Sequence, residues 1–345
     1  MKQTYDVNVK SFKSLISPEK IKDKLPIPGD AAETVINGRH DIENILTKKD
    51  SRLLVIAGPC SIHDTDAALE YAERMKQLKN RVKGKINLVM RVYFEKPRTT
   101  VGWKGLINDP FLDSSFNINK GLEKARSLLI EINRLELPCA TEILDPITPQ
   151  YIAGLLSWVA IGARTTESQT HREMASGLSM PVGFKNTTDG SLDSAVNAML
   201  AAKSPQHFLG INPEGCSSMV STRGNAFGHI VLRGGLHPNY DPLSIKKAMD
   251  KLNEKKLYDS ILIDCSHDNS GQKQKGQSFV FKSVLDQRVN GNASIIGMML
   301  ESNLFEGNQK FSQDSEKLKY GVSITDECIS WDTTEKLILC AHEKL

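Results

Sequence analysis

The chain has 345 residues, 39% hydrophobic and 25% charged, a globular balance that excludes a disordered, collagenous or coiled-coil protein. Its 44 basic and 41 acidic side chains leave a net charge of +3, so bulk charge points to no nucleic acid. Six cysteines without a CxxC pair read as free thiols, the polar start MKQTYDVNVKSF lacks a signal-peptide core, and no apolar run approaches the ~18 residues of a membrane helix; a cytoplasmic protein without membrane contact is expected.

In chain order, residues 1–50 comprise a polar arm and a helix-like segment near Ala31–Leu46. Residues 51–345 alternate short apolar runs with longer periodic segments, the pattern of βα units. Eight runs are strand candidates: Leu53–Gly58, Asn87–Phe94, Cys139–Ile143, Val159–Ala163, Val182–Lys185, His229–Arg233, Ile261–Cys265 and Ser294–Leu300. Several are apolar on both faces, as buried parallel strands are. Helices are expected over His63–Lys79, with Asp64 as cap, and over Lys120–Leu137. Thr148-Pro149 reads as a cap followed by proline at the first helical position. Asp189–Lys203, Pro242–Leu257, Gly276–Val289 and Asp332–Lys344 complete the set. The fold class is α/β, a (β/α)8 TIM barrel, with a doubly wound open sheet as the alternative. A bare barrel takes about 250 residues. The surplus falls in the first 50 residues and at about 207–228, where Phe208–Ile211, a Pro213/Gly215 turn and Met219–Ser221 read as an inserted β-hairpin.

Barrel enzymes carry their chemistry at the carboxyl ends of the strands. The closing residues here are Cys60, Arg91 with Lys96 beyond it, Glu142, Arg164, Lys185, Arg233, His267 and Glu301. Any one of them alone is most simply a solvated strand terminus, but all eight are ionisable or metal-ligating. They sort into two groups. Arg91, Lys96, Arg98, Arg164, Lys185 and Arg233 are cations that repel one another unless anions are bound, and guanidinium forks suit phosphate and carboxylate. Thr99 and Thr100 add hydroxyls to a second phosphate cradle in Lys96-Pro97-Arg98-Thr99-Thr100. Cys60, His267 and Glu301 close strands that are neighbours in a closed barrel, and Asp326 can reach over them. That mixed donor set accepts Fe, Co, Zn or Mn. Cys60 alone would read as a small buried hydrophobe and His267 alone as a structural histidine. His63, His171 and His229 read as structural, Trp103, Trp158 and Trp331 as core or interface, and Cys139, Cys265, Cys328 and Cys340 as inert. There is no GxGxxG loop and no P-loop, so nicotinamide and ATP readings lose support.

Seven motifs in order, Gly58-Pro59-Cys60-Ser61-Ile62-His63, Lys96-Pro97-Arg98-Thr99-Thr100, Gly162-Ala163-Arg164-Thr165-Thr166-Glu167-Ser168, Gly183-Phe184-Lys185-Asn186, Leu232-Arg233-Gly234-Gly235, Asp264-Cys265-Ser266-His267 and Gly321-Val322-Ser323-Ile324-Thr325-Asp326, resemble the microbial, aromatic-sensitive class I 3-deoxy-D-arabino-heptulosonate 7-phosphate (DAHP) synthases. The resemblance spans nearly the whole chain. It implies condensation of phosphoenolpyruvate with D-erythrose 4-phosphate, the first step of the shikimate pathway. It implies one divalent metal ion per subunit (Mn, Fe, Co or Zn) on Cys60, His267, Glu301 and Asp326. Phosphoenolpyruvate would be held by Arg91, Lys96, Arg164, Lys185, Arg233 and the backbone near Ala163, with Glu142 close and Asp326 also at the substrate. Erythrose 4-phosphate would take Arg98, Thr99 and Thr100. Lys96, His171, Glu142 and a water at the metal remain open as proton carriers, with Cys60 and His267 counted among the catalytic groups.

The resemblance also implies a homodimer or homotetramer inhibited by one aromatic amino acid. The arm (1–50) and the hairpin would serve subunit contact and regulation, the barrel (51–345) catalysis. The inhibitor cavity would combine Asp6 and Val7 of a neighbouring arm with Gln150, Gly177, Leu178, Phe208, Gly210 and Val220. Glycine at 210 favours tyrosine over phenylalanine, because a missing serine side chain makes room for the phenol hydroxyl. Two rivals are a related synthase making 3-deoxy-D-manno-octulosonate 8-phosphate and a non-catalytic barrel that senses aromatic amino acids.

Overall fold

The computed structural model describes residues 3–345; the first two residues of the expected arm lie outside them. Eight strands form a closed parallel ring in the order β1 (Leu53–Gly58), β2 (Ile86–Arg91), β3 (Cys139–Glu142), β4 (Trp158–Ile161), β5 (Val182–Lys185), β8 (Gly228–Leu232), β9 (Ile261–Asp264) and β10 (Ile295–Asn303), with β1 paired to both β2 and β10. The doubly wound alternative is thereby excluded. β6 (His207–Ile211) and β7 (Ser217–Ser221) make an antiparallel hairpin inserted before β8, and the short β11 (Ile329–Ser330) adds to the end of β10.

The outer layer consists of α3 (Thr65–Val82), α4 (Ile118–Arg134), α5 (Pro149–Ile152), α6 (Gln169–Ser176), α7 (Asp193–Lys203), α8 (Pro242–Glu254), α9 (Gln274–Val289) and α10 (Trp331–Lys344). Before the ring come α1 (Pro18–Lys24) and α2 (Gly29–Leu46).

Every ring strand is buried along its whole length. Alternate side chains explain why these runs are apolar on both faces. Leu53, Val55 and Ala57 join the layer under the helices. Leu54 and Ile56 point inward, where Val89, Tyr93, Ala140, Trp158, Ala160, Val231, Leu262 and Met299 fill the barrel. Ile42, Ile45 and Leu46 at the end of α2 pack onto this interior set. Thr47–Arg52 then lead straight into β1, so α2 plugs the amino end of the ring.

The helix α1 was not expected in the polar arm. Its signals are a Ser17 cap, whose hydroxyl accepts the Lys20 amide at 3.4 Å, and Pro18 at the first position; Ile21 anchors it in the core. Strand ends differ by a few residues. β2 stops at Arg91 and β4 at Ile161, leaving Phe94 and Ala163 in connecting segments, whereas β10 runs on to Asn303. Thr148 precedes α5 but does not cap it; its hydroxyl donates to Glu95 instead, at 3.3 Å.

Candidate active site

At the carboxyl end of the ring lies a cavity of about 460 Å³. Lys96, Arg98, Thr99, Thr100, Glu142, Ala163, Arg164, Lys185, Arg233, His267, Glu301 and Asp326 all line it. The strand registers assemble one side. Gly58 of β1 pairs with Glu301 of β10, so Cys60, two residues on, stands beside that glutamate. Donor atoms of Cys60, Glu301 and Asp326 lie within 4.8 Å of one another. His267 lies just beyond this triple, its Nε2 3.8 Å from Glu301 Oε1. Its backbone sits at φ +49°, a left-handed conformation that side chains rarely adopt and that tends to mark functional sites.

The surroundings of the triple are dense with charge. The Lys96 ammonium donates to Cys60 Sγ at 3.0 Å and to Asp326 at 3.4 Å. Burial works against that ammonium, but Cys60, Asp326 and Glu301 outweigh it and hold its pKa above the ordinary lysine value. Burial, then Glu301, pushes the Cys60 thiol up to about 12. A thiol so placed keeps its proton near neutral pH unless a cation displaces it. For Asp326, Lys96 is the largest influence and brings the carboxyl down to about 2. One neutral soft donor beside two ionised carboxylates, in reach of a histidine, fits a borderline divalent ion.

Arg91 serves this side from below. It is 1% exposed and does not line the cavity. Its guanidinium donates to Pro59 O (3.1 Å), Cys60 O (3.2 Å) and Glu301 (2.8 Å), and its Cζ lies 3.4 Å from the centre of the Tyr93 ring. The backbone that carries Cys60 and the carboxylate of Glu301 thus share one clamp.

The opposite wall is cationic. Lys185 Nζ lies 3.5 Å from Glu142 and 3.4 Å from Asp264, and Arg233 pairs with Asp268. Burial alone would raise the Glu142 carboxyl; Lys185, then Lys96 and Arg91, outweigh it and keep it below the usual range. Glu142 also needs the glycine beside it, because a Cβ on Gly162 would come within 2.3 Å of its Oε1. Arg98, Thr99 and Thr100 form an exposed rim, and Arg164 donates to the Thr99 hydroxyl at 3.4 Å, joining rim to wall.

His171 stands apart from the cavity lining, with Nε2 2.7 Å from Leu144 O and Nδ1 2.9 Å from the Ser168 hydroxyl. The expected inhibitor residues divide. Phe208, Gly210 and Val220 share the half-buried face of the hairpin, while Leu209 and Met219 on its other face are 90% and 74% exposed. Gly177 backs onto Thr222 just beyond β7, Gln150 lies in α5, and Asp6 and Val7 lie exposed on the arm.

Several groups escaped the sequence reading. Ser266, Lys273, Asn308 and Glu327 also line the cavity; they lie past the strand termini, in loops whose reach no periodicity records. Tyr93 was signalled only by sharing a strand face with Arg91 two residues earlier. Glu95 is buried, and accepts from the Leu144 and Asp145 amides at 3.4 and 3.3 Å. Burial, then Asp145, pushes its carboxyl up to about 8. Among the described residues no helix is long and apolar enough to cross a membrane.

Residues 25–338 match the DAHP synthetase I family. The chain is 52% identical over 340 residues to the Tyr-sensitive phospho-2-dehydro-3-deoxyheptonate aldolase of Escherichia coli K12, covering 99% of this chain and 96% of that one. The Phe-sensitive protein of the same strain is 52% identical over 336 residues (97% and 96% covered), and the Trp-sensitive one 48% over 338 (98% and 97%). The solved phospho-2-dehydro-3-deoxyheptonate aldolase of Francisella tularensis SCHU S4 superposes with a TM-score of 0.95 at 46% identity, covering 98% of each chain.

Proposed function

The chain belongs to the DAHP synthetase I family, and from that premise we propose that it joins phosphoenolpyruvate to D-erythrose 4-phosphate, releasing DAHP and inorganic phosphate. The observation that carries the reading is the two-sided cavity: Glu301 and Asp326, with the buried Cys60 beside them, lie on one side and Lys185, Arg233 and Arg164 on the other. Two anionic substrates neutralise a mouth that otherwise concentrates like charge.

The wall cations hold the phosphate of phosphoenolpyruvate, and Lys96 reaches its carboxylate side. The Arg98–Thr100 rim takes the second phosphate, with Arg164 linking the two. This arrangement brings C3 of the enol to the aldehyde carbon, which supplies rate through proximity and preorganised charge. A new C–C bond forms, water adds at C2, and the C–O bond to phosphate breaks. Glu142, ionised beside Lys185, orients that water and accepts its proton; Lys96 is placed to protonate the aldehyde oxygen. A divalent ion on Cys60, Glu301, Asp326 and His267 would act as a Lewis acid toward the aldehyde.

Inhibition by an aromatic amino acid is read at the inner face of the hairpin. A Cβ on Gly210 would sit 2.8 Å from Val220 Cγ2, so glycine keeps open the space that a phenol hydroxyl needs, and tyrosine is the favoured inhibitor. The exposed arm and the exposed Leu209 and Met219 on the outer face of the hairpin support a homodimer or homotetramer.

The test is phosphate release by the metal-loaded protein from phosphoenolpyruvate with erythrose 4-phosphate or with arabinose 5-phosphate, each with tyrosine, phenylalanine or tryptophan added. Release only with erythrose 4-phosphate, suppressed by tyrosine, is expected. Preference for arabinose 5-phosphate favours the octulosonate synthase reading. No release with either sugar leaves a barrel that only senses amino acids.

A further inference from the structure

The two walls of the cavity meet beneath its floor at one carboxylate. We infer that Asp264 is a positioning residue that ties the metal-binding side of the site to its phosphate-binding side. The inference rests on the function proposed above and names how its two halves are held together.

Asp264 ends β9 and is 0% exposed. Around the ring, β9 lies between β5, which carries Lys185, and β10, which carries Glu301. Asp264 Oδ1 accepts the backbone amide of Ser266 at 3.0 Å, which fixes the plane of the carboxylate. Oδ2 is left facing two groups at once: His267 Nδ1 at 2.8 Å and Lys185 Nζ at 3.4 Å. Neither Oδ2 nor His267 Nδ1 completes a well-directed hydrogen bond with any other group. They are a buried acceptor and a buried ring nitrogen already at contact distance, with the alignment still to be completed, as in many unliganded catalytic sites.

The chemistry follows from which atoms face which. A carboxylate at Nδ1 keeps the ring proton there. The lone pair then stays on Nε2, the nitrogen that faces Glu301 and the donor cluster, and the ring becomes a better ligand. The same oxygen shares with Glu142 the task of offsetting the buried ammonium of Lys185. A buried ammonium without a counter-charge tends to lose its proton and with it its hold on phosphate. One oxygen therefore sets the tautomer of a metal ligand and supplies one of the two counter-charges of an anion clamp.

The decisive variant is Asp264→Asn. Only its amide oxygen can accept the Ser266 amide, so the NH2 group falls where Oδ2 was. It then donates to Nδ1, forces the ring proton onto Nε2 and removes one of the two charges opposite Lys185. Calorimetric titration of the substrate-free protein with Mn²⁺ is expected to show a Kd raised about 10- to 100-fold. Titration of the same variant with phosphoenolpyruvate is expected to show weaker binding as well. Asp264→Glu keeps the charge but moves the oxygen, and is expected to weaken Mn²⁺ less. It carries the comparison if the amide variant does not fold. A folded Asp264→Asn protein with wild-type affinity for either ligand overturns the inference, as do wild-type affinities for both ligands in the folded Glu variant. Both readouts are equilibrium affinities, so they decide the matter even if the wild-type protein proves not to release phosphate.

Discussion

The two ends of the barrel solve opposite problems with the same eight strands. At the amino end Ile42, Ile45 and Leu46 press into an interior of aliphatic and aromatic side chains, and the buried polar contacts there are between neutral groups, as where the Ser260 hydroxyl donates to Leu46 O at 2.7 Å. At the carboxyl end Arg91, Lys96, Glu142, Lys185, Asp264 and Glu301 are all buried. Buried charge survives only when it is paired, and here every such group touches one of opposite sign or a thiol. The amino end holds the fold together by area and shape; the carboxyl end holds a reactive arrangement by mutual compensation. Changes at the first should cost stability, and changes at the second should cost chemistry.

Cys60→Ala is expected to show the largest effect. It removes the soft donor from the triple, so metal content should collapse and phosphate release should fall by about 10³-fold or more, the loss of over ~4 kcal/mol of barrier lowering. The melting temperature should stay near that of the chelated wild-type protein, and exhaustive chelation of the wild type should mimic the variant's loss of activity. A fully active, metal-free Cys60→Ala protein would break the contrast. Ile42→Ala should do the reverse, costing about 2–5 kcal/mol in denaturant titrations while kcat of the folded protein holds. Gly210→Ser belongs to neither end: uninhibited turnover should be unchanged, stability should fall slightly as Val220 gives way to the new Cβ, and the preference should move from tyrosine toward phenylalanine by about tenfold or more, read from inhibition curves. Glu95→Gln gives the smallest and most specific effect. The native carboxyl keeps its proton to about 8, whereas the unfolded one titrates near 4.5. Between those values the unfolded chain releases its proton first, so native stability falls as pH rises. The glutamine variant should flatten that slope, by less than about 1.4 kcal/mol per pH unit, in denaturation curves at about pH 5 and about pH 7.5.

The ring itself was legible because buried parallel strands must be apolar on both faces, and the end residues stood out as abrupt changes of chemistry after such runs. What stayed hidden depends on three-dimensional packing. Helix α1 lacks the apolar periodicity of a long helix and is held by a cap and one buried isoleucine. Arg91 closes a strand like the other cations, yet its guanidinium turns under the floor toward Glu301, and only the register of β1 on β10 reveals that. His171 has the right residue type for proton transfer, but the Leu144 carbonyl and the Ser168 hydroxyl occupy its nitrogens. Asp264 was visible three residues before His267, without any sign in the sequence of which side chain it would face.

The pairing of Gly58 with Glu301 is also the seam where the ring shuts. Cys60 comes from the first strand and Glu301 from the last, with Asp326 later still. On the ribosome Cys60 therefore emerges long before its carboxylate partners exist. A cation bound by this triple would have to wait until the last strand has docked, so its uptake would be a late step and would report that the circle is complete. Once in place, an ion shared by Cys60, Glu301 and Asp326 would act as a rivet across the seam and slow its reopening.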